Sequence, residues 1–112
     1  MPLYFAYGAN MGLAAMAVRC PASRPLGVAR LARHRFAIMR EGFATVVRDP
    51  RCSVHGVVWD LALADVPTLD KYEEVARGLY AKIMQPVLTQ SGSRRALLYL
   101  GCNAGPGRPR LQ

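Results

Sequence analysis

Near its N-terminus the chain reads Tyr4-Phe5-Ala6-Tyr7-Gly8-Ala9-Asn10. The aromatic and apolar residues favour a buried strand over residues 2–7. The apolar residues over 11–18 favour a short helix, with Asn10 as its N-cap. A strand that turns into a helix through Gly and Asn leaves backbone N–H groups without partners, and such groups attract a carboxylate or a phosphate. The sequence therefore predicts an anion-binding turn.

The bulk composition is that of a globular protein. The chain has 112 residues, of which 52% are hydrophobic and 20% charged, which suits one domain with one core. We expect that domain to span residues 1–102, followed by a loose tail over 103–112. No apolar run approaches the roughly 20 residues that cross a bilayer, and the first residues lack the basic region of a secretory signal. These features predict a cytoplasmic protein that does not enter membranes.

The three cysteines, Cys20, Cys52 and Cys102, are spread along the chain. No pair has the spacing of zinc ligands or of a redox motif. We therefore expect reduced, partly buried cysteines and no metal site.

The net charge is +8, and 13 of the 15 basic residues are arginine. A nucleic-acid surface is one explanation for this excess. The arginines are scattered, however, and the densest group, Arg30, Arg33 and Arg35, lacks interleaved aromatic residues. The pattern therefore disfavours nucleic-acid binding, whereas an anionic small substrate would also be drawn to such a field.

The rest of the chain alternates between short strand-like segments and turns. A helix is predicted over 66–72, capped by Asp65, and turns are predicted at 41–42 and 49–50. Gly56 indicates a bulge or a close backbone approach. The strand-like segments are 28–33, 35–40, 44–48, 54–61, 79–87 and 96–100. We predict an α+β fold, a mixed, mostly antiparallel β-barrel of about six short strands with a few short flanking helices.

Most of the seven acidic residues fall at turns, strand borders or a cap, but Glu73 does not. It follows the predicted helix, where the helix dipole and partial burial both raise the pKa of a carboxyl group. Such a carboxylate suits a general base near neutral pH. The alternative is a solvated helix end, with Asp70 and Glu74 spaced i,i+4.

Two motifs in this order resemble the γ-glutamylcyclotransferase-like (AIG2-like) family. The first is Tyr4 to Met11, where the family has Y-F-A-Y-G-S-N-(M/L). The second is Leu69-Asp70-Lys71-Tyr72-Glu73-Glu74-Val75, and Glu73 precedes Tyr80 by the family's seven residues. Shorter similarities occur at Arg19-Cys20-Pro21, Leu26-Gly27, Arg35-Phe36, Ala44-Thr45-Val46 and Val54-His55-Gly56-Val57-Val58-Trp59. The resemblance covers about residues 3 to 100 and implies a mixed β-barrel.

The resemblance also implies a reaction that needs no metal or cofactor. The α-amine of a γ-glutamyl compound attacks its own γ-carbonyl, which gives 5-oxoproline and releases an amine. Glu73 would be the general acid and base. Tyr80 and Tyr99 would donate hydrogen bonds at the pocket wall, unless they are ordinary half-buried strand tyrosines. The N-terminal turn would hold a substrate oxygen through backbone N–H groups; its residues are Tyr7, Gly8, Ala9 and Asn10.

Three departures from the family pattern affect these expectations. Ala9 replaces a serine, so the turn must act through its backbone. Glu74 replaces a glycine, which would strain the turn and raise the pKa of Glu73 further. The sequence ends at Gln112, where family members continue with a helix, so we expect exposed barrel surface that formation of a homodimer would cover.

Two other functions stay open at this stage. The chain would be a catalytically silent small-molecule binding module if the pocket is kept without turnover. It would be a basic nucleic-acid-binding domain if the positive charge has a polyanionic partner. The identity of the leaving amine is not encoded in any motif.

Overall fold

The structure is a computed structural model, and it describes residues 2–73, 75 and 78–102. Glu74 and the predicted loose tail over 103–112 lie outside the described residues. The elements, in chain order, are β1 (Leu3–Ala6), α1 (Leu13–Arg19), β2 (Arg24–Ile38), β3 (Ala44–Asp60), α2 (Val66–Tyr72), β4 (Tyr80–Thr89) and β5 (Gly92–Gly101). Short 3-10 helices precede α1 at Ala9–Met11 and α2 at Leu63–Asp65.

The strands close into a barrel in the order β1-β3-β2-β4-β5. β1 pairs with β3 in antiparallel fashion and with β5 in parallel fashion, through Tyr4 and Leu97. The other neighbouring pairs are antiparallel, and β2 meets β4 at Arg30 and Leu88. The predicted α+β, mixed and mostly antiparallel barrel is confirmed. Within the described residues α1 and α2 have 7 residues each, and no helix there has the length and apolarity to cross a bilayer.

The described residues form five strands, because two pairs of predicted strands are each continuous. Residues 28–33 and 35–40 both belong to β2, and 44–48 and 54–61 both fall on β3 or its end. The predicted turn at 49–50 is wrong. Ala32 pairs with Ser53 and His34 with Arg48, so a local irregularity accommodates the Asp-Pro pair without ending the strand.

The predicted N-terminal helix begins later than expected. The helix α1 starts at Leu13, and its N-cap is Gly12, so the assignment of Asn10 as N-cap is wrong. Asn10 lies in the 3-10 turn, where the Met11 N–H donates to the Gly8 carbonyl over 3.0 Å. The amide of Asn10 is used in long-range contacts at the pocket instead.

The second helix matches its predicted range, and Asp65 occupies its N-cap position as predicted. Asp65 precedes α2 and makes no side-chain capping bond. Its Oδ2 accepts hydrogen bonds from the Ala22 N–H at 3.1 Å and from the Ser23 hydroxyl at 2.8 Å. Asp65 therefore stands at the predicted cap position, but its side chain fixes the connection between α1 and β2 instead of capping α2.

Two clusters of buried side chains lie on opposite faces of the strands. The barrel-interior cluster draws its members from strands and from the residue after β1: Phe5, Tyr7, Ala29, Leu31, Val46, Val54, Val58, Val87, Ala96 and Leu98. The helix-side cluster also includes residues of both helices: Tyr4, Ala6, Met16, Cys20, Met39, Trp59, Leu61, Leu69, Tyr80 and Tyr99. β1 contributes to both clusters because successive strand side chains point to opposite faces.

Gly56 allows β1 to lie close to β3. A Cβ atom at this position would lie 2.3 Å from the Ala6 carbonyl oxygen and 2.8 Å from the Phe5 ring. The predicted close backbone approach is confirmed. This contact brings the end of β1, and the turn that follows it, close to β3.

Candidate active site

A pocket lies where the segment after β1 approaches the end of α2. All five tyrosines of the chain line this pocket. The full lining is Tyr4, Tyr7, Gly8, Asn10, Ala44, Tyr72, Glu73, Tyr80 and Tyr99. The two motifs found in the sequence therefore meet in space, although residues 12–68 lie between them along the chain.

Glu73 is the acidic residue of this lining. It follows the last residue of α2, and its N–H donates to the Leu69 carbonyl over 3.0 Å. Partial burial raises the pKa of the Glu73 carboxyl to about 7, against a smaller opposing effect of the nearby Arg19 guanidinium. The raised pKa expected from the sequence is present, and desolvation is its main cause. Near neutral pH this group populates both protonation states, as a general acid and base requires.

The tyrosine hydroxyls donate mainly to protein acceptors. Tyr7 donates to the Tyr99 carbonyl at 2.5 Å, Tyr99 donates to Asp70 Oδ1 at 2.6 Å, and Tyr80 donates to the Ala44 carbonyl. Burial raises the pKa of all three hydroxyls above the ordinary value, so each keeps its proton. The Tyr7 hydroxyl also has a hydrogen bond with the Thr45 side chain. Tyr80 and Tyr99, expected to donate to substrate, donate to protein acceptors instead.

The predicted anion-binding turn forms one wall of the pocket. Tyr7, Gly8 and Asn10 line it, and Ala9 lies between them in the 3-10 turn. The Asn10 amide is buried: its Nδ2 donates to the Tyr4 hydroxyl over 3.1 Å, and its Oδ1 accepts from Arg19. The side chain of Asn10 therefore organises the wall, and binding of substrate by the backbone N–H groups of the turn stays a prediction.

Asp70 anchors the helix that carries Glu73. Its Oδ1 accepts from the Tyr99 hydroxyl, and its Oδ2 accepts from Lys82 Nζ at 2.8 Å. One carboxylate thus ties the C-terminal half of α2 to both β4 and β5. Glu73 directly follows this helix, so the bonds of Asp70 restrain the helix end from which Glu73 projects into the pocket lining.

Sequence reasoning did not place Tyr4, Tyr72, Ala44 or Arg19 at the site. Two of them carried a usable signal, since Tyr4 lies within the first motif and Tyr72 directly precedes Glu73. Ala44 has none, because it contributes through its backbone carbonyl.

The cysteines lie in three different environments: Cys20 is buried, Cys52 is partly buried and Cys102 is exposed. Burial raises the pKa of the Cys20 thiol to about 11, so this thiol is a poor nucleophile at neutral pH. Among the residues that the structure describes, no three His, Cys, Asp or Glu side chains are grouped as a metal site would need.

The fold and the site define a class: a small mixed barrel with a tyrosine-lined pocket that holds a carboxyl group of raised pKa, where a helix end meets the turn after the first strand. Residues 4–111 match the family described as Gamma-glutamyl cyclotransferase, AIG2-like. The chain belongs to this family.

Individual relatives agree with that assignment. The human protein named Gamma-glutamylcyclotransferase is 31% identical over 123 residues, which cover 98% of this chain and 65% of the human one. The cattle protein of the same name is 34% identical over 100 residues, covering 80% and 53% of the two chains. A solved structure named Gamma-glutamyl cyclotransferase superposes with a TM-score of 0.86 at 30% identity, covering 93% of this chain and 68% of that one. The chain thus spans less than two thirds of the curated relatives' length.

Proposed function

We propose that this protein is a γ-glutamyl cyclotransferase. It converts a small γ-glutamyl amine or amide into 5-oxoproline and releases the amine. The observation that carries the proposal is Glu73: a partly buried carboxyl with a pKa of about 7 in a pocket lined by tyrosines. Membership of the family supports the same reaction.

The pocket is suited to the ammonium group of such a substrate. An ammonium has three N–H donors, and it needs acceptors when it leaves water. The hydroxyl hydrogens of Tyr7, Tyr80 and Tyr99 are donated to protein acceptors, so a contact of these hydroxyls with the ammonium would use the oxygen as an acceptor. Their rings add a favourable electrostatic surface for a cation.

Glu73 provides the proton transfers. It takes a proton from the substrate ammonium, whose pKa lies above that of the carboxyl because the neighbouring α-carboxylate favours the charged form. The free amine then attacks the γ-carbonyl carbon and closes a five-membered ring. As the bond from this carbon to the leaving nitrogen breaks, Glu73 gives the proton to that nitrogen. The attacking nitrogen loses a second proton as it becomes the ring amide, and Glu73 passes this proton to the departing amine, which leaves as an ammonium ion while the carboxylate is regenerated.

The negative charge that develops on the γ-carbonyl oxygen needs hydrogen-bond donors. Gly8 and Asn10 line the same pocket as Glu73, and Ala9 lies between them in the 3-10 turn; backbone N–H groups of this turn can supply those donors. Ala9 fits this role as well as the family's serine, because a backbone N–H does not depend on the side chain. By holding the amine close to the γ-carbonyl carbon, the two sides of the pocket would also accelerate ring closure through proximity.

A binding module without turnover is the second candidate. Ala9 favours it, because a serine hydroxyl at this position would supply a donor that alanine lacks. Such a module would bind γ-glutamyl compounds in the same pocket and release them unchanged. Self-association and a cytoplasmic location stay predictions.

The test is a panel of γ-glutamyl amino acids, γ-glutamyl amines and glutathione, incubated with the protein and assayed for 5-oxoproline. We expect turnover of at least one member and its loss in Glu73→Gln. Calorimetric binding with no product from any member would favour the binding module. Turnover that is undiminished in Glu73→Gln would remove Glu73 from the mechanism.

A further inference from the structure

Arg19 lies next to the pocket and contacts two of its lining residues, Asn10 and Tyr72. It is the last residue of α1, is partly buried, and lies outside the lining itself. Its guanidinium reaches the amide of Asn10 on one side and the ring of Tyr72 on the other. Asn10 precedes Arg19 by nine residues, whereas Tyr72 lies far along the chain, at the end of α2.

The contact with Asn10 sets the orientation of the amide. Arg19 Nη1 donates to Asn10 Oδ1, which leaves Nδ2 to donate to the Tyr4 hydroxyl over 3.1 Å. A guanidinium has donors and no acceptor, so the reversed amide would place two donors against each other. Tyr4 accepts in this bond and therefore keeps its own hydrogen for another partner, unlike the tyrosines that donate to the protein.

The contact with Tyr72 holds the opposite wall. The guanidinium carbon lies 3.6 Å from the centre of the Tyr72 ring, within the range of a favourable cation–π contact. Tyr72 is the last residue of α2 and directly precedes Glu73. Fixing its ring therefore restricts the backbone from which the Glu73 carboxyl projects.

We propose that Arg19 is a positioning residue of this site. Its single guanidinium joins the side of the pocket that contains Asn10 to the side that contains Tyr72 and Glu73. The inference rests on the proposed function for its kinetic consequences, although the geometry is independent of the reaction. Lysine is not an equivalent residue here, because a planar guanidinium can stack on a ring and donate in its own plane at the same time.

The charge of Arg19 also acts on Glu73. The groups that face the Glu73 carboxyl from other elements are this guanidinium, from α1, and neutral tyrosines of β1, β4 and β5. On α2 itself, Asp70 is paired with Lys82. Arg19 lowers the pKa of Glu73 and so opposes the effect of burial. Without Arg19, the base would be protonated over a wider range of pH.

The experiment compares Arg19→Met, Arg19→Lys and the control Arg24→Met. Arg24 is an exposed arginine, 3.8 Å from Asp60, so its loss removes an equal charge away from the site. In Arg19→Met we expect kcat/KM for the γ-glutamyl substrate to fall about 10- to 100-fold, as for loss of a charge-assisted hydrogen bond. We also expect the acid limb of the pH profile to move to higher pH. Arg19→Lys should raise KM and keep the acid limb near its original position, and Arg24→Met should change neither.

A second readout does not depend on catalysis. Carbon-13 NMR of the glutamate carboxyls, with Glu73→Gln used for assignment, gives the titration midpoint of Glu73 directly. We expect this midpoint to rise in Arg19→Met and to stay unchanged in Arg24→Met. If the wild-type protein releases no 5-oxoproline but the midpoint moves as expected, the proposed function fails and the role of Arg19 stands.

The inference is overturned if Arg19→Met leaves both the midpoint of Glu73 and kcat/KM at their wild-type values. It is also overturned if Arg19→Met and Arg24→Met act alike. Should Arg19→Met fail to fold, Arg19→Gln replaces it, since Gln keeps a donor for Asn10 without the charge. An acid limb that is the same in Arg19→Gln and Arg19→Lys would then refute the electrostatic part of the role.

Discussion

The barrel-interior cluster and the helix-side cluster are built from different chemistry on opposite faces of the same strands. The interior is aliphatic apart from Phe5 and Tyr7, and Tyr7 lies at its edge, where the pocket begins. The helix-side cluster contains three tyrosines, a tryptophan, two methionines and a cysteine. β1 alternates between the two clusters: Phe5 packs inside the barrel, while Tyr4 packs under the helices.

The two clusters therefore have different roles: the barrel-interior cluster stabilises the fold, and the helix-side cluster supports the pocket around Glu73. Aliphatic side chains in the interior gain stability by leaving water and have no polar atoms to satisfy. Each hydroxyl on the helix side must find a partner when it is buried, and the bonds of Tyr80 and Tyr99 meet that need. The network that satisfies these hydroxyls also fixes the walls around Glu73. We therefore expect interior changes to act on folding and helix-side changes to act on catalysis.

Replacing Glu73 by Gln gives the largest expected effect. The variant keeps the size of the side chain and removes the base, so we expect the rate of 5-oxoproline release to fall about 10²- to 10⁴-fold. Steady-state kinetics at neutral pH measure this loss. Asp60→Asn is the matched control, because Asp60 pairs with Arg24 away from the pocket and should keep full activity. Equal losses in both variants would show that the effect does not depend on the position of the carboxylate in the pocket, and would contradict the role of Glu73 as the base.

The stability of Glu73→Gln should differ from that of the wild type in a pH-dependent way. The pKa of Glu73 is raised from 4.5 to about 7 in the folded protein. The folded state therefore holds the proton more tightly than the unfolded state. This contribution is fully present below pH 4.5 and is lost as the pH rises through 7. Denaturant unfolding should show the wild type losing up to about 3 kcal/mol relative to Glu73→Gln across this range. A constant difference would show that the folded and unfolded pKa values are equal.

Two glycine substitutions compare the rigidity of the clusters. In Gly56→Ala the new Cβ would lie 2.3 Å from the Ala6 carbonyl oxygen, a backbone atom. In Gly101→Ala it would lie 2.2 Å from Met39 Sδ, the far end of a flexible side chain. We expect Gly56→Ala to cost about 1–3 kcal/mol of unfolding free energy, and Gly101→Ala to cost less because Met39 can move. Thermal and denaturant unfolding provide the comparison, and the reverse order would contradict it.

The smallest effect is expected from the bonds of Asp70. Tyr99→Phe removes a part-buried hydroxyl bond and should cost about 1 kcal/mol. Lys82→Met removes a more exposed ion pair and should cost between about 0 and 1 kcal/mol. Because each variant leaves Asp70 with its other partner, we expect kcat to fall less than tenfold in both. A larger stability loss in Lys82→Met than in Tyr99→Phe would show that the exposed partner anchors α2.

Local patterns were enough to predict the features that depend on neighbours in sequence. The range of α2 followed from Pro67 and the apolar residues around it, and the position of Glu73 followed from the end of that helix. Gly56 within a run of strand-forming residues predicted a close contact. The barrel class followed from the number and spacing of strand-like segments.

The features that the sequence did not predict depend on partners far along the chain. Asn10 and Asp65 have the residue type of helix caps, but the partners of Asp65 lie 42 and 43 residues away. The turn expected at 49–50 is overridden because β3 pairs with β2 on both sides of it. Arg19 lies in a segment that resembles the family, but its role was not predicted, since its contact with Tyr72 exists only after α1 and α2 have packed.

The most direct test of the central claim is the pH dependence of kcat/KM for 5-oxoproline release, set beside the NMR titration of Glu73 in the same protein. If Glu73 is the base, activity on the acid limb should rise with a midpoint at about 7, and the carboxyl should titrate at that same midpoint. An acid limb near the ordinary carboxyl pKa of roughly 4.3, or one that does not coincide with the titration of Glu73, would contradict the account.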